Sequence, residues 1–230
     1  MRRGRLTAAA AVAAVLGTSA CGGGDTSKAP KSGAQGSKAA HPANYSGYWA
    51  ARVLRRTEVR SRPAGRVVGV VGRRTEWESP RYLAVTRTEG DWVGVVTAAR
   101  PNGHVGWIPR NAVELVEAPA SIHVDLSRRE ASVTEGGRVT LHFPIAVGQP
   151  DTPTPQGRFA VTDALRTQRG SPYGCCILAL SAHQPNIAQG WTGGDRIAIH
   201  ATPAVQSIGT AASNGCMRTT DAAMRRLFKA

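Results

Sequence analysis

The sequence predicts a mainly β protein, two small β-rich units closed by one short C-terminal helix. Three observations carry that prediction. From Trp49 onward, short β-branched runs recur about every ten to fifteen residues, bounded by Gly, Pro and charged residues. No helical heptad and no internal repeat is visible. Only near the C-terminus do a capping residue and terminal charges mark a helix. With 230 residues, 41% of them apolar, the chain can bury a core and is not mainly disordered.

The N-terminus has its own texture. Arg2, Arg3 and Arg5 precede an apolar stretch from Leu6 to Leu16, and Thr18-Ser19-Ala20 then gives small residues before Cys21. The stretch falls short of the roughly 20 residues a membrane-spanning helix needs, so residues 1–20 are expected to be a signal peptide. A Cys directly after a small-residue triplet resembles a bacterial lipoprotein cleavage site, although Thr18 stands where that site usually has Leu. The resemblance implies acylation of Cys21 and residence on the outer face of the cytoplasmic membrane, within the cell wall. Ordinary cleavage after Ala20, releasing a soluble protein, is the alternative. Residues 21–47, with Gly22-Gly23-Gly24, Pro30 and three Lys, are expected to be a flexible tether. A tether of that kind spans roughly 25–30 Å, enough to lift a domain off a membrane.

Residues 48–118 make the first unit. Trp49–Arg55, Arg66–Val71, Tyr82–Arg87, Trp92–Thr97 and Val105–Ile108 read as strands. Arg62-Pro63-Ala64-Gly65, Glu89-Gly90-Asp91 and Pro101-Asn102-Gly103 read as turns between them. The run Gly90-Asp91-Trp92-Val93-Gly94-Val95, with Gly106-Trp107-Ile108 after a turn, resembles a bacterial SH3-like small barrel, which implies contact with the cell wall. Trp92 and Trp107 are expected in its core.

Residues 120–230 make the second. Ile122–Leu126, Ala131–Thr134 and Arg138–Val147 read as strands, with Glu135-Gly136-Gly137 as a hairpin turn. Arg158–Thr162, Cys176–Ser181 and Arg196–His200 follow. Thr220 can cap the helix, Asp221 lies in its first turn, and Arg225, Arg226 and Lys229 suit its C-terminal dipole.

Four Cys and six His are the groups to place. No CxxC pair and no His-x-x-x-His spacing argues for zinc. Cys175-Cys176 read as buried thiols at a strand start, with a disulfide open to them outside the cytoplasm. Cys216 differs, because Gly215 beside it lets the backbone turn sharply and clears the approach to sulfur. Successive amides in such a turn can converge on a developing oxyanion. His200 ends a predicted strand, and a nearby imidazole is the usual activator of a thiol that is mostly protonated at neutral pH.

Ile199-His200-Ala201-Thr202-Pro203, Ser207-Ile208-Gly209 and Ser213-Asn214-Gly215-Cys216-Met217-Arg218 together resemble the active-site signature of the YkuD-like L,D-transpeptidases. Val124-Asp125-Leu126-Ser127, Phe143–Gly148 and Thr152–Phe159 match that family's opening strands and turn. The resemblance implies Cys216 as nucleophile, His200 as base, and the Ala201 carbonyl orienting His200. It implies an oxyanion hole from the amides around Asn214 and Gly215, and a substrate-facing cation at Arg218. Asn214 stands where many members have His. The family also implies a further strand past the helix, for which the residues up to Lys229-Ala230 offer no match; its lack would leave an unpaired edge.

The expected chemistry is acyl transfer on peptidoglycan stem peptides, giving 3→3 cross-links through a Cys216 thioester after D-alanine leaves. No metal or nucleotide cofactor is expected. An L,D-carboxypeptidase of the same fold and a non-catalytic wall-binding lipoprotein are the competing readings. A cysteine peptidase of the NlpC/P60 type fits less well, since there the Cys normally precedes the His. Lys plus Arg number 29 against 15 Asp plus Glu, a net charge of +14 spread along the chain. Such a spread attracts polyanions diffusely and makes no phosphate-reading stripe, and 5% aromatics is thin for base stacking. Nucleic acid is not an expected partner.

Overall fold

The computed structural model describes residues 48–187 and 194–230, together with the backbone of a two-residue strand, β1 (Val12–Ala13). Cys21, the tether and the remainder of the expected leader lie outside the described residues.

Seven strands form the first unit: β2 (Tyr48–Val53), β3 (Thr57–Arg60), β4 (Val67–Val71), β5 (Tyr82–Glu89), β6 (Trp92–Val96), β7 (Gly106–Pro109) and β8 (Val113–Ala118). They pair antiparallel in the order β4-β3-β7-β6-β5-β2-β8. Ala51, Val53, Val59, Leu83, Val93, Val95 and Ile108 fill the interior. The sequence reading passes over β3 and β8. In β3 only Val59 is apolar and faces inward between charged Glu58 and Arg60, too little to register as a period. Trp107 is buried with the Arg87 guanidinium 5.0 Å from its ring, whereas Trp92 is half-buried beneath Arg60.

The second unit holds β9 (Ala120–Asp125), β10 (Glu130–Glu135), β11 (Arg138–Pro144), β12 (Val147–Gly148), β13 (Phe159–Arg166), β14 (Cys176–His183), β15 (Arg196–Ala201), β16 (Ala211–Ser213), β17 (Met217–Thr219) and α1 (Asp221–Leu227). Its main sheet runs β11-β10-β9-β1-β13-β14-β15-β17, with β12 and β16 paired separately. Val12–Ala13 sit between β9 and β13, parallel to the first and antiparallel to the second. Inside β10, Ala131 and Val133 point to the core while their neighbours face out, the alternation of a half-buried strand. Gly136 and Gly137, with φ of 53° and 78°, both take the left-handed conformation a two-residue hairpin demands.

The expected strand Arg138–Val147 is broken. Pro144 has no N–H to continue a ladder, and the Ile145 N–H turns aside to Arg129 O at 2.8 Å. Ala146 then bridges to Arg218, which ties the opening half of this unit to the segment after Cys216. Thr220 Oγ1 accepts from the Ala223 N–H at 3.1 Å and caps α1. The helix buries Met224 and Leu227 and ends there, so Lys229 lies beyond its last turn. Among the described residues no helix is long and apolar enough to cross a membrane.

The two units meet along β13, β14 and the start of β15. Ala84, Ala118 and Ala160 pack together with Tyr48 and Val96. Thr75 donates to Asp163, which is 1% exposed, and the Asn102 side chain bonds both backbone groups of His183.

Candidate active site

β15 and β17 run parallel, with Ile199 opposite Met217, His200 opposite Arg218 and Ala201 opposite Thr219. One residue back along both strands, Cys216 comes beside Ala198. Side chains alternate along a strand, so Ala198 and His200 share a face, while Ile197, Ile199 and Ala201 face the core. Two segments 16 residues apart in sequence are thereby brought side by side at one edge of the sheet.

The turn before Cys216 is held from several sides. Gly215 has φ of 113°, and a Cβ there would lie 2.5 Å from Gln184 Nε2 and 2.8 Å from Ile197 Cδ1. Both backbone conformation and space require glycine. Thr154 Oγ1 donates to Gly215 O at 2.8 Å and accepts from the Gly148 N–H at 2.8 Å. Ser213 Oγ donates to Cys216 O at 2.6 Å and accepts from the Gly215 N–H at 3.0 Å. Buried Gln184 donates to Pro153 O at 2.9 Å. The Gly215 amide is therefore engaged within its own turn.

His200 is 4% exposed. Its Nδ1 donates to Ala201 O at 2.6 Å; a carbonyl can only accept, so the proton sits on Nδ1 and Nε2 presents a lone pair. Burial pulls the imidazole pKa down to about 4, against the Ala201 bond, and Arg218 adds to the lowering. Burial pushes the Cys216 thiol up, while the Ala198 N–H and Arg218 pull it back. Neutral imidazole and neutral thiol thus coexist across the neutral range. Arg218 favours thiolate and disfavours imidazolium, and among the described residues no carboxylate is ion-paired with it.

Neighbouring strands thus hold a neutral imidazole, a thiol and a guanidinium close together. Residues 119–230 match the YkuD family, the L,D-transpeptidase catalytic domain. YkuD proteins of Bacillus licheniformis and Bacillus subtilis are 34% and 33% identical over 100 residues, 44% of this chain and 53% of each relative. The chain spans about half the length of these curated relatives. The NMR structure of the catalytic domain from the Enterococcus faecium L,D-transpeptidase is 28% identical, over 47% of this chain and 86% of that one, with a TM-score of 0.34.

Within the YkuD-matching segment, the structure brings His200, Ala201, Gly215, Cys216 and Arg218 together. Asn214 lies in the same turn with an exposed side chain, and its carbonyl accepts weakly from Gln184 at 3.4 Å. Cys175 and Cys176 are joined as a vicinal disulfide, which corrects the expectation of buried thiols. Only Cys176 is buried, and the Cys175 N–H donates to Asp221 at 2.9 Å. Among the described residues no three His, Cys, Asp or Glu gather to hold a metal ion.

Sequence reading missed three groups here. Tyr173 meets the His200 ring edge-on at 4.9 Å between centroids, and nothing in its surroundings in sequence signals that contact. Gln184 and Thr154 brace the Gly215 turn from 30 or more residues away. Thr154 at least stands in the recognised run Thr152–Phe159.

Proposed function

We propose that the chain is a peptidoglycan L,D-transpeptidase that forms 3→3 cross-links through a Cys216 thioester. The observation that carries this is His200, buried, neutral and oriented by Ala201 O, on the strand face beside Cys216 inside the YkuD-matching segment. His200 Nε2 takes the thiol proton as Cys216 Sγ attacks the carbonyl between the third stem residue and D-alanine. The oxyanion is received by amides of the 214–216 turn, and with Gly215 engaged the weight falls on Cys216 itself. Collapse expels D-alanine, which leaves with the proton from His200, and a thioester remains. The side-chain amine of a second stem, a diamino residue such as diaminopimelate, then attacks the thioester and releases Cys216.

Arg218 is assigned to a substrate carboxylate. A separate cleft of about 710 Å³, lined by Thr202 and Pro203 with Arg166, Arg169 and Arg225 against the one carboxylate of Asp221, is assigned to the anionic remainder of the stem peptide. The first unit is assigned as an SH3-like module that holds the enzyme to the wall. Cys21 is assigned as the acylated anchor that keeps it at the outer face of the cytoplasmic membrane.

Incubation of the full chain with a tetrapeptide-containing disaccharide substrate, read by mass spectrometry of the products, tests the reading. We expect dimers lacking one D-alanine, absent with Cys216→Ala. Tripeptide monomers as sole product would reassign the chain as an L,D-carboxypeptidase, and dimers formed by Cys216→Ala at the wild-type rate would overturn the thioester.

A further inference from the structure

The start of β15 is weakly held by its own sheet. Ala179 pairs with Ala198, yet the next pair is His183 with Arg196, so β14 spends four residues where β15 spends two. This bulge leaves the Arg196–Ile197 backbone without a regular ladder. That backbone nevertheless faces the candidate nucleophile: Cys216 Sγ lies 4.0 Å from Arg196 O, and the Ala198 N–H bonds the sulfur.

What fixes it instead is the Arg196 side chain. Nε and Nη2 donate to Leu180 O at 2.9 and 2.6 Å, filling the bulge, and Nη2 donates to Thr162 Oγ1 at 2.9 Å. The remaining edge of the guanidinium reaches the first unit, where it pairs with Glu76 and stacks 5.5 Å from the Trp77 ring. The loop carrying those two residues is tied down by Thr75. Thr75 Oγ1 accepts from the Trp77 and Ser79 amides and donates to buried Asp163. A second clamp holds the neighbouring residue. His183 Nδ1 lies 2.9 Å from Asp195 Oδ2, its Nε2 lies 2.9 Å from Ala98 O of the first unit, and Asn102 bonds its backbone.

We propose that Arg196 is a positioning residue through which the first unit, by Glu76 and Trp77, sets the backbone that faces Cys216. The catalytic consequence rests on the function proposed above. The first unit then acts on the chemistry as well as on location, because undocking its 75–79 loop frees the segment that carries the Arg196 carbonyl and the Ala198 amide. Arg218, the charged group that acts on Cys216, and His200 on the adjacent strand are unchanged in every variant below.

The test uses the full chain with Glu76→Gln, Trp77→Ala and Arg196→Ala, and Arg52→Ala as a remote control on the exposed β2–β8 pair. Cys216 alkylation by iodoacetamide is followed by peptide mass from pH 6 to 10, and kcat and KM are measured on the tetrapeptide substrate. We expect the alkylation midpoint to move by half a pH unit or more in all three variants. We expect kcat to fall about tenfold with KM within twofold, and Arg52→Ala to match wild type. An alkylation profile and kcat unchanged in Glu76→Gln and Trp77→Ala would overturn the proposal, and those two variants decide it if Arg196→Ala does not fold. The alkylation arm needs no substrate, so it decides the proposal even if the wild-type chain fails to turn over stem peptides.

Discussion

At Cys216 and His200, burial works on both groups in opposite directions. The thiol is held protonated and the imidazole is held neutral, so the base is available far below its ordinary range. We expect the acid limb of acylation to fall near pH 4 instead of near 6.5, as measured by initial rates between pH 3.5 and 9. His200→Ala should lose about 10²-fold in acylation rate, the scale of general-base assistance. Because burial raises the thiol above its usual 9.0, that deficit should close only above about pH 9. A mutant-to-wild-type ratio that stays flat from pH 6 to 10 would make His200 structural. The same burial affects folding. The imidazole pKa is lower in the folded chain than in the unfolded one, so between pH 6.5 and about 4 the unfolded chain binds the proton first. Stability should therefore rise with pH through that window.

At the level of elements, the Gly215 turn and the parallel β15–β17 pair make the site. Gly215→Ala places a Cβ against Gln184 and Ile197 in a left-handed backbone, and should cost about 1–3 kcal/mol together with most of the acylation rate. Thermal unfolding and Cys216 alkylation check it; a variant with wild-type melting and alkylation would mean that the turn relaxes freely. Residue types with local meaning were legible in the sequence. The Gly136-Gly137 hairpin and the Thr220 cap each announce themselves within a few residues, and the two halves of the His200-to-Cys216 motif lie in one short stretch of sequence. Elements whose reason lies elsewhere were not. β17 is three residues long and exists because β15 lies beside it. β3 carries a single inward Val59, and the break after Pro144 reflects long-range bonds to Arg129 and Arg218. Tyr173 and Gln184 join the site only through tertiary contact, which no spacing encodes.

Across the whole molecule, the sheet that carries His200 and Cys216 is braced by a second β unit at the start of β15, the strand that ends in His200. The net charge of +14 draws such a body toward anionic surfaces, but salt screens that attraction, whereas acyl chains do not respond to salt. If Cys21 is the anchor, high salt should leave the protein in the membrane fraction, detergent should extract it, and Cys21→Ala should release it or leave its precursor uncleaved. Recovery of wild-type protein in the soluble fraction with an unmodified N-terminus would contradict the anchor. Whether Cys216 forms a thioester with a stem peptide is read from the intact mass of the full chain quenched in acid after mixing with a free tetrapeptide stem. We expect an added mass equal to the stem less D-alanine, mapped to Cys216 and missing in Cys216→Ala; an unmodified chain while D-alanine is released, or an adduct on any other residue, would rule the Cys216 thioester out.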